Sequence, residues 1–523
     1  MSDFVKGFYT QFLLNCFKGS IVMHWMALAG NTLRTRAALV LVGTLLISGC
    51  ASVGTEGKMS SFSESWANAD YVTAGQSFGG IDITAATQED IENLELFDLL
   101  HFAEAARLGG RPDLAVHAYD ETELHFKRYD LESFASAAGS QVGAVLVNDN
   151  VMSYRGYLYE AVLANTYKGL SFLEMGDAEG ALVEFNRAEE RARRATHYFR
   201  ESIAEQRKAL NEEANDGQQQ IVNASLRSSN TQQAILSEYG APSRWSVYAD
   251  FVNPFATYMH GLHRLASSST SNDFEAVIPL FERVAGVTSN PVVVGDLELT
   301  ETLAGGSRSA TSLPPLIWVV FDNGIGPQLV EQRIDLPLAG VGDGSVFYAG
   351  IALPSITDGQ PASRLLINTG GTGSVRTQPV ASMKRIMNTE FQARFDGILL
   401  RSMTSAVVKV AAQAVAEEEF GAMGGLLAGI ASAATTQADI RSWRALPDRW
   451  EVARVERPDS GMISLGGIQA TPVRVNIPDW PMTMVYVKKT TRDAPVTVRV
   501  IDLSGRNEAM SPAGLEMVQG DLQ

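Results

Sequence analysis

The apolar residues of this 523-residue chain first change their spacing near residue 291. From about 86 to 290 they recur three and four positions apart in long Ala-, Leu-, Glu- and Arg-rich runs, as on one face of a helix. Beyond 291 they come in β-branched and aromatic runs: "PPLIWVVFDNGIGP", "SVFYAGIALPSI" and "SRLLINTG", then "WEVARV", "TPVRVNI", "MTMVYVKK" and "PVTVRVIDL". Helical spacing returns from about Val380 to Thr436, between the two groups of strands. Helices followed by strands predict an α plus α+β architecture. A helical domain is expected over 86–290 and an α+β domain over 291–510, with a helical insertion at 380–445 and a tail at 511–523. The strands of 315–375 and 448–505 are expected to share a sheet or sandwich, and Asn323-Gly324 is a turn signal.

Two passages within the helical text resemble each other. "HFAEAARLGGRPDLAVHAYDETE" starts at His101 and "YKGLSFLEMGDAEGALVEFNRAEE" at Tyr167. The second fits the tetratricopeptide repeat, with Gly169, Phe172, Ala181, Phe185 and Ala188 in the small and aromatic slots and Gly176-Asp177 at the turn. The first has Gly110, Ala115 and Tyr119 in register, and a weaker third copy spans Tyr258 to Ala285 with Ala276 in the small slot. Small residues let antiparallel helices approach, and the aromatic fills the wedge to the next pair. Because the copies are not contiguous, the expectation is a degenerate array; generic helical hairpins are the alternative. Between the first two copies lie Tyr154, Tyr157 and Tyr159, either a partner-binding surface or packing residues. The Gln-, Asn- and Glu-rich stretch from Ser202 to Ser237 reads as an exposed helix followed by a mobile segment. In the helical insertion, Gly421, Gly425 and Gly429 put small residues on one face, suited to close helix contact or, alternatively, to membrane contact.

Cysteine usage is confined to Cys16 and Cys50, which excludes a disulfide framework or a Cys-ligated zinc in the folded body. Arg34 and Arg36 precede an uncharged apolar run from Ala37 to Gly49. As a helix it covers roughly 20 Å, short of the ~30 Å hydrocarbon core. Basic flank, short apolar run and small residues are the layout of a secretory signal. Ile47-Ser48-Gly49-Cys50 closely resembles a bacterial lipobox. That resemblance implies cleavage before Cys50 and its acylation, which anchors the protein in a membrane; Ala51 in place of Asp implies the outer membrane. Translation from Met23 or Met26 gives a signal of ordinary length. Residues 50–85, rich in Ser, Ala, Gly and Thr, are expected to be the lipidated N-terminus and a tether.

The net charge of −17 argues against a nucleic-acid partner. No phosphate-binding Gly-Lys-Ser/Thr loop, His-Glu-x-x-His or Gly-x-Ser-x-Gly occurs, and the glycines at 340, 342 and 344 lack a strand-to-helix context. His101, His117 and His125 read as ordinary helix residues, and Asp439 with Arg441 as a structural pair. Catalytic, cofactor and metal residues are therefore not expected. An enzyme acting on cell-wall polymer through carboxylates of the α+β half is the alternative, because paired acids leave no linear signature.

Together, "SYRGYLYEAVLANTYKGLSFLEMGDAEGALVEF", "YADFVNPFATYMHGLHRLA", "VVFDNGIGP", "YAGIALPS" and "ADIRSWRALP" resemble a group of Gram-negative outer-membrane lipoproteins with an N-terminal tetratricopeptide-like domain. The resemblance covers about 90–480, implies a cell-envelope location and brings no catalytic residues. The expected protein is a lipid-anchored scaffold that faces the periplasm and holds a protein partner on the concave face of its helical array. A membrane-associating protein acting through helix 420–436 is a further alternative.

Overall fold

A computed structural model describes residues 54–131, 153–194, 216–306, 310–338, 347–371, 373–435 and 437–511. The class is mixed α+β. Helices α1 (54–67), α2 (Tyr71–Gln76) and α3 (Gln88–Ile91) lead into two hairpins. These pair α4 (Leu96–Leu108) with α5 (Pro112–Leu131), and α6 (Leu158–Glu174) with α7 (178–194). After α8 (Asp216–Arg227) and α9 (Ser229–Tyr239), a third hairpin joins α10 (Pro254–Ser267) to α12 (Ile278–Thr288), with α11 (Ser271–Glu275) in its turn and α13 (Pro291–Ala304) after it.

The hairpins share one packing device. A Cβ on Gly169 of α6 would stand 2.7 Å from the Phe185 ring, and one on Gly261 of α10 would stand 2.8 Å from Phe281. At these two positions only a bare backbone leaves room for the second helix's aromatic. In the first hairpin Ala103 and Tyr119, both buried, hold the same offset as Gly169 and Phe185. The third copy therefore has a register different from that expected: Val277 is buried where Ala276 is exposed. Gly110 (φ 87°) and Gly176 (φ 74°) are turn residues in the left-handed region that ends a helix.

Strand β1 (Leu316–Asn323) runs through the middle of a five-stranded sheet. It pairs in parallel with β10 (Met482–Lys489) and antiparallel with β7 (Arg449–Glu456). The edges are β11 (Thr497–Asp502), beside β10, and β6 (Gln378–Ser382), beside β7. Every β1 residue is buried because both faces are covered. Leu316, Trp318 and Val320 pack in one core with the helices; Ile317, Val319 and Phe321 pack against a second sheet. That sheet holds β4 (Leu366–Asn368), β5 (Val375–Arg376), β8 (Met462–Gly466) and β9 (Val473–Asn476), in the order β5-β4-β8-β9. The layers are thus helices, sheet, sheet. Gly324 (φ 88°) ends β1, where a Cβ would strike the Gln360 carbonyl at 2.1 Å.

A hairpin of β2 (Leu329–Leu338) and β3 (Phe347–Ile356) packs with α8 and with α14 (Met383–Thr435) around Val222, Ile334, Leu353 and Met403. The 53 residues of α14 have a contour of about 80 Å. Yet Met383 N donates to Asp448 O, and Ala438 N donates to Glu331. The chain from 438 to 448 reaches at most about 36 Å. α14 therefore cannot run straight, and its path turns back toward the body.

Three expectations are corrected. Residues 54–85 are not a tether: Met59, Phe62, Trp66, Tyr71, Phe78 and Ile83 are buried, since an aromatic at each helical turn outweighs the small polar residues between. Residues 216–239 form two helices that bury Val222 and Ile235, against the expected mobile segment. The helical and α+β parts also share one continuous core, from Met59 to Leu503.

Candidate functional site at the helix–sheet interface

The first helices of the hairpins press against β1, β7 and β10, and the interface between them holds a network of buried charge. Arg107 on α4 is completely buried. Its guanidinium grips Glu104 through Nε (2.9 Å) and Nη2 (2.6 Å), reaches Glu174 of α6 at 2.6 Å and donates to the Tyr486 hydroxyl at 3.0 Å. Tyr119 of α5 donates to Glu104 at 3.0 Å. Burial raises the Glu174 carboxyl, with Arg107 opposing the shift. On the sheet side Asp322 of β1 accepts from Tyr167 (3.0 Å), Tyr486 (2.7 Å) and Lys488 (2.5 Å), and the Trp450 indole donates to Tyr167. Burial, reinforced by Asp322, holds the Tyr167 and Tyr486 phenols well above their ordinary value, so both remain donors. At the far end Asp296 of α13 accepts from Tyr258, Trp318 and Arg454, and burial pushes its carboxyl up to about 6. Glu104, Asp322 and Asp296 each accept from two or more residues, Glu174 accepts from Arg107, and all four are buried. The arrangement ties layers together and exposes no nucleophile.

The strap 437–448 threads between α14 and the body. Trp443 is buried, with its ring edge-on to Tyr119 and Tyr167, and its backbone N donates to Glu160 of α6 at 2.7 Å. Glu160 also accepts from Tyr154 (2.6 Å) and the Tyr157 backbone (2.9 Å); burial nevertheless pushes its carboxyl up to about 7. Arg444 N donates to His101 Nε2 at 3.0 Å while His101 Nδ1 donates to Phe97 O at 2.7 Å. Those two bonds require a neutral ring, and burial brings its pKa down to about 3. Asp439 and Arg441 pair at 2.8 Å, with Arg441 over the Tyr154 ring.

Tyr154, Tyr157 and Tyr159 do not form an exposed recognition surface. Tyr154 and Tyr159 are buried, Tyr157 stacks on Tyr159, and Arg394 lies over Tyr157. The segment enters α6 here, where Glu390 of α14 accepts from Leu158 N and Tyr159 N, and three aromatic rings close the junction. Gly169, Ala181, Phe185 and Ala188 lie together in α6 and α7, as do Ala115 and Tyr119 in the first hairpin; Phe172 is half-buried. Gly110 stands apart from them at its turn. His117 contacts Gln88. Gly421, Gly425 and Gly429 fall on α14, but their side-chain surroundings, like Cys50 and the glycines at 340, 342 and 344, lie outside the described residues.

Sequence reasoning missed Arg107, Asp322, Lys488 and Asp296. The signal was present for two of them: Asp322 and Lys488 end apolar strands, on the same pleat face as Trp318 and Tyr486. A cavity of about 310 Å³ opens between α7, α10 and α12, lined by Glu189, Arg193, Asp250, Thr257, Arg283 and Val287. Its rim carries Asp250 (φ 52°) and Phe251 (φ 56°), consecutive non-glycine residues in the left-handed region, a strain of roughly 1–2 kcal/mol each. Among the described residues no cluster of His, Cys, Asp and Glu is placed to hold a metal, and no helix is long and apolar enough to cross a membrane. No family model, curated protein or solved structure matches this chain.

Proposed function

We propose that the chain is a lipid-anchored cell-envelope protein, held through Cys50 at the outer membrane and facing the periplasm, that binds a protein partner through tetratricopeptide-like helical pairs. The observation that carries this reading is the cavity between α7 and α12, the second helices of successive hairpins, with its strained Asp250-Phe251 rim. Strained backbone is concentrated where ligands bind. The first helices of the array are already covered by the chain's own sheet, so the docking surface moves to the outward side. The buried acids support binding over catalysis, because each is committed to neighbours within the fold.

Two measurements test the reading. A photo-crosslinking amino acid at Arg193 or Asp250, both exposed, should trap one recurrent protein neighbour in cells, while the same group at Lys58 should not. Equal background at all three positions refutes partner docking here. Metabolic labelling with a fatty-acid analogue should vanish in Cys50→Ser; persistent labelling refutes the anchor.

A further inference from the structure

A second cavity, of about 450 Å³, opens between α1 and the strap, lined by Glu56, Met59, Ser60, Ser63, Glu64, Ile440 and Arg444. Arg444 is the unusual member. Its backbone N serves His101 and its Nη1 donates to Gln328, but Nε is buried without an acceptor. Among the described residues no carboxylate pairs with it, and burial alone pulls its pKa down. Ser63, on the opposite wall, has a buried hydroxyl that also lacks a partner. A half-buried guanidinium without a paired carboxylate among the described residues, lining one cavity with an unused hydroxyl, is a site for an anion. The rim adds the opposite sign, because Glu56 and Glu64 are exposed carboxylates. The ligand that satisfies both carries an anionic and a cationic group a few ångströms apart.

We propose that this cavity takes the zwitterionic phosphoethanolamine headgroup of a bilayer phospholipid, its phosphate on Arg444 and Ser63 and its ammonium between Glu56 and Glu64. The charge pattern stands by itself; the bilayer as source rests on the anchored reading. Only residues 51–53 lie between Cys50 and the first described residue of α1, at most about 11 Å of chain. An acylated Cys50 would hold the mouth of this cavity at the headgroup level, with Met59 and Ile440 forming its apolar wall.

The test uses the full chain reconstituted in phosphatidylcholine vesicles containing a photoactivatable phosphatidylethanolamine, with crosslinked peptides read by mass spectrometry. Labelling is expected on 56–64 and 440–444, and to fall at least about tenfold in Arg444→Gln, as loss of a charge-assisted hydrogen bond implies. Ser63→Ala and Glu64→Gln, on the other wall, should each reduce it, so the result does not hang on one variant's folding. Soluble glycerophosphoethanolamine should compete and inorganic phosphate should not. Phosphate competing equally well would make this a free-phosphate site and overturn the lipid assignment. Undiminished labelling in all three variants, or none in the wild type, overturns the site itself. Glycerophosphoethanolamine binding does not need acylation, so its presence with fatty-acid labelling absent would refute the anchor and leave the site standing.

Discussion

Asp322 and Lys488 face each other across β1 and β10, both fully excluded from water. Either one alone would be an uncompensated charge in the core. Lys488→Met should therefore destabilise the fold by about 3–5 kcal/mol. Adding Asp322→Asn, which still accepts from Tyr167 and Tyr486, should recover much of that loss in urea titrations. A double variant no more stable than Lys488→Met would show that the pair is not coupled. His101 is held neutral, with its folded pKa near 3 against 6.5 in the unfolded chain. The unfolded state gains a proton first as pH falls, so this stability is complete above about 6.5 and is lost progressively toward 3. His260, lowered to about 4 by burial and by Arg264, acts in the same direction. Glu160 acts oppositely: its folded pKa near 7 exceeds the ordinary 4.5, so its contribution is complete below 4.5 and declines as pH rises to 7. Stability measured by denaturant at pH 4.5, 6 and 7.5 should lose part of its high-pH decline in Glu160→Gln, with Asp296 and Glu174 supplying the rest, and part of its acid slope in His101→Phe.

At the scale of elements, Gly169 and Gly261 are places where a single methyl decides helix spacing. Gly169→Ala and Gly261→Ala should each destabilise by roughly 1–3 kcal/mol, because Phe185 or Phe281 must leave its rotamer. Gly286→Ala on α12, where a Cβ meets nothing, should be neutral or stabilise by up to about 1 kcal/mol. Equal thermal shifts for all three would refute the packing account. The small and aromatic slots were legible in the chain because their cause is local to one hairpin. The slot in the third copy was misjudged because α11 lengthens its turn and shifts the spacing between Gly261 and Phe281. Likewise α14 was legible as helix, whereas its turning back follows from contacts at Asp448 and Glu331, far away in sequence.

For the whole molecule, helices and sheet are expected to unfold together. Trp66, Trp318, Trp443 and Trp450 share the core with Tyr167 and Tyr258. Truncation after residue 305 would strip β1, β7 and β10 from the first helices and leave Arg107 and Asp296 without their partners on the sheet. That fragment should not fold, and in the intact chain urea transitions followed by tryptophan fluorescence and by far-ultraviolet dichroism should coincide. Two separate transitions would restore the division into two domains.

The chain by itself determined the change from helices to strands and the small-aromatic pairing of the second hairpin, because periodicity, turn glycines and small-aromatic spacing act over a few residues. It also carried the lipobox-like ending at Cys50. Tertiary structure alone decided that 54–85 belongs to the core, that Tyr154 and Tyr159 face inward, and that the sheet covers the array. It also placed Arg444 and Ser63 on the lining of one cavity. Burial and charge pairing depend on what a distant segment places opposite a residue, and spacing along one strand or helix does not encode that.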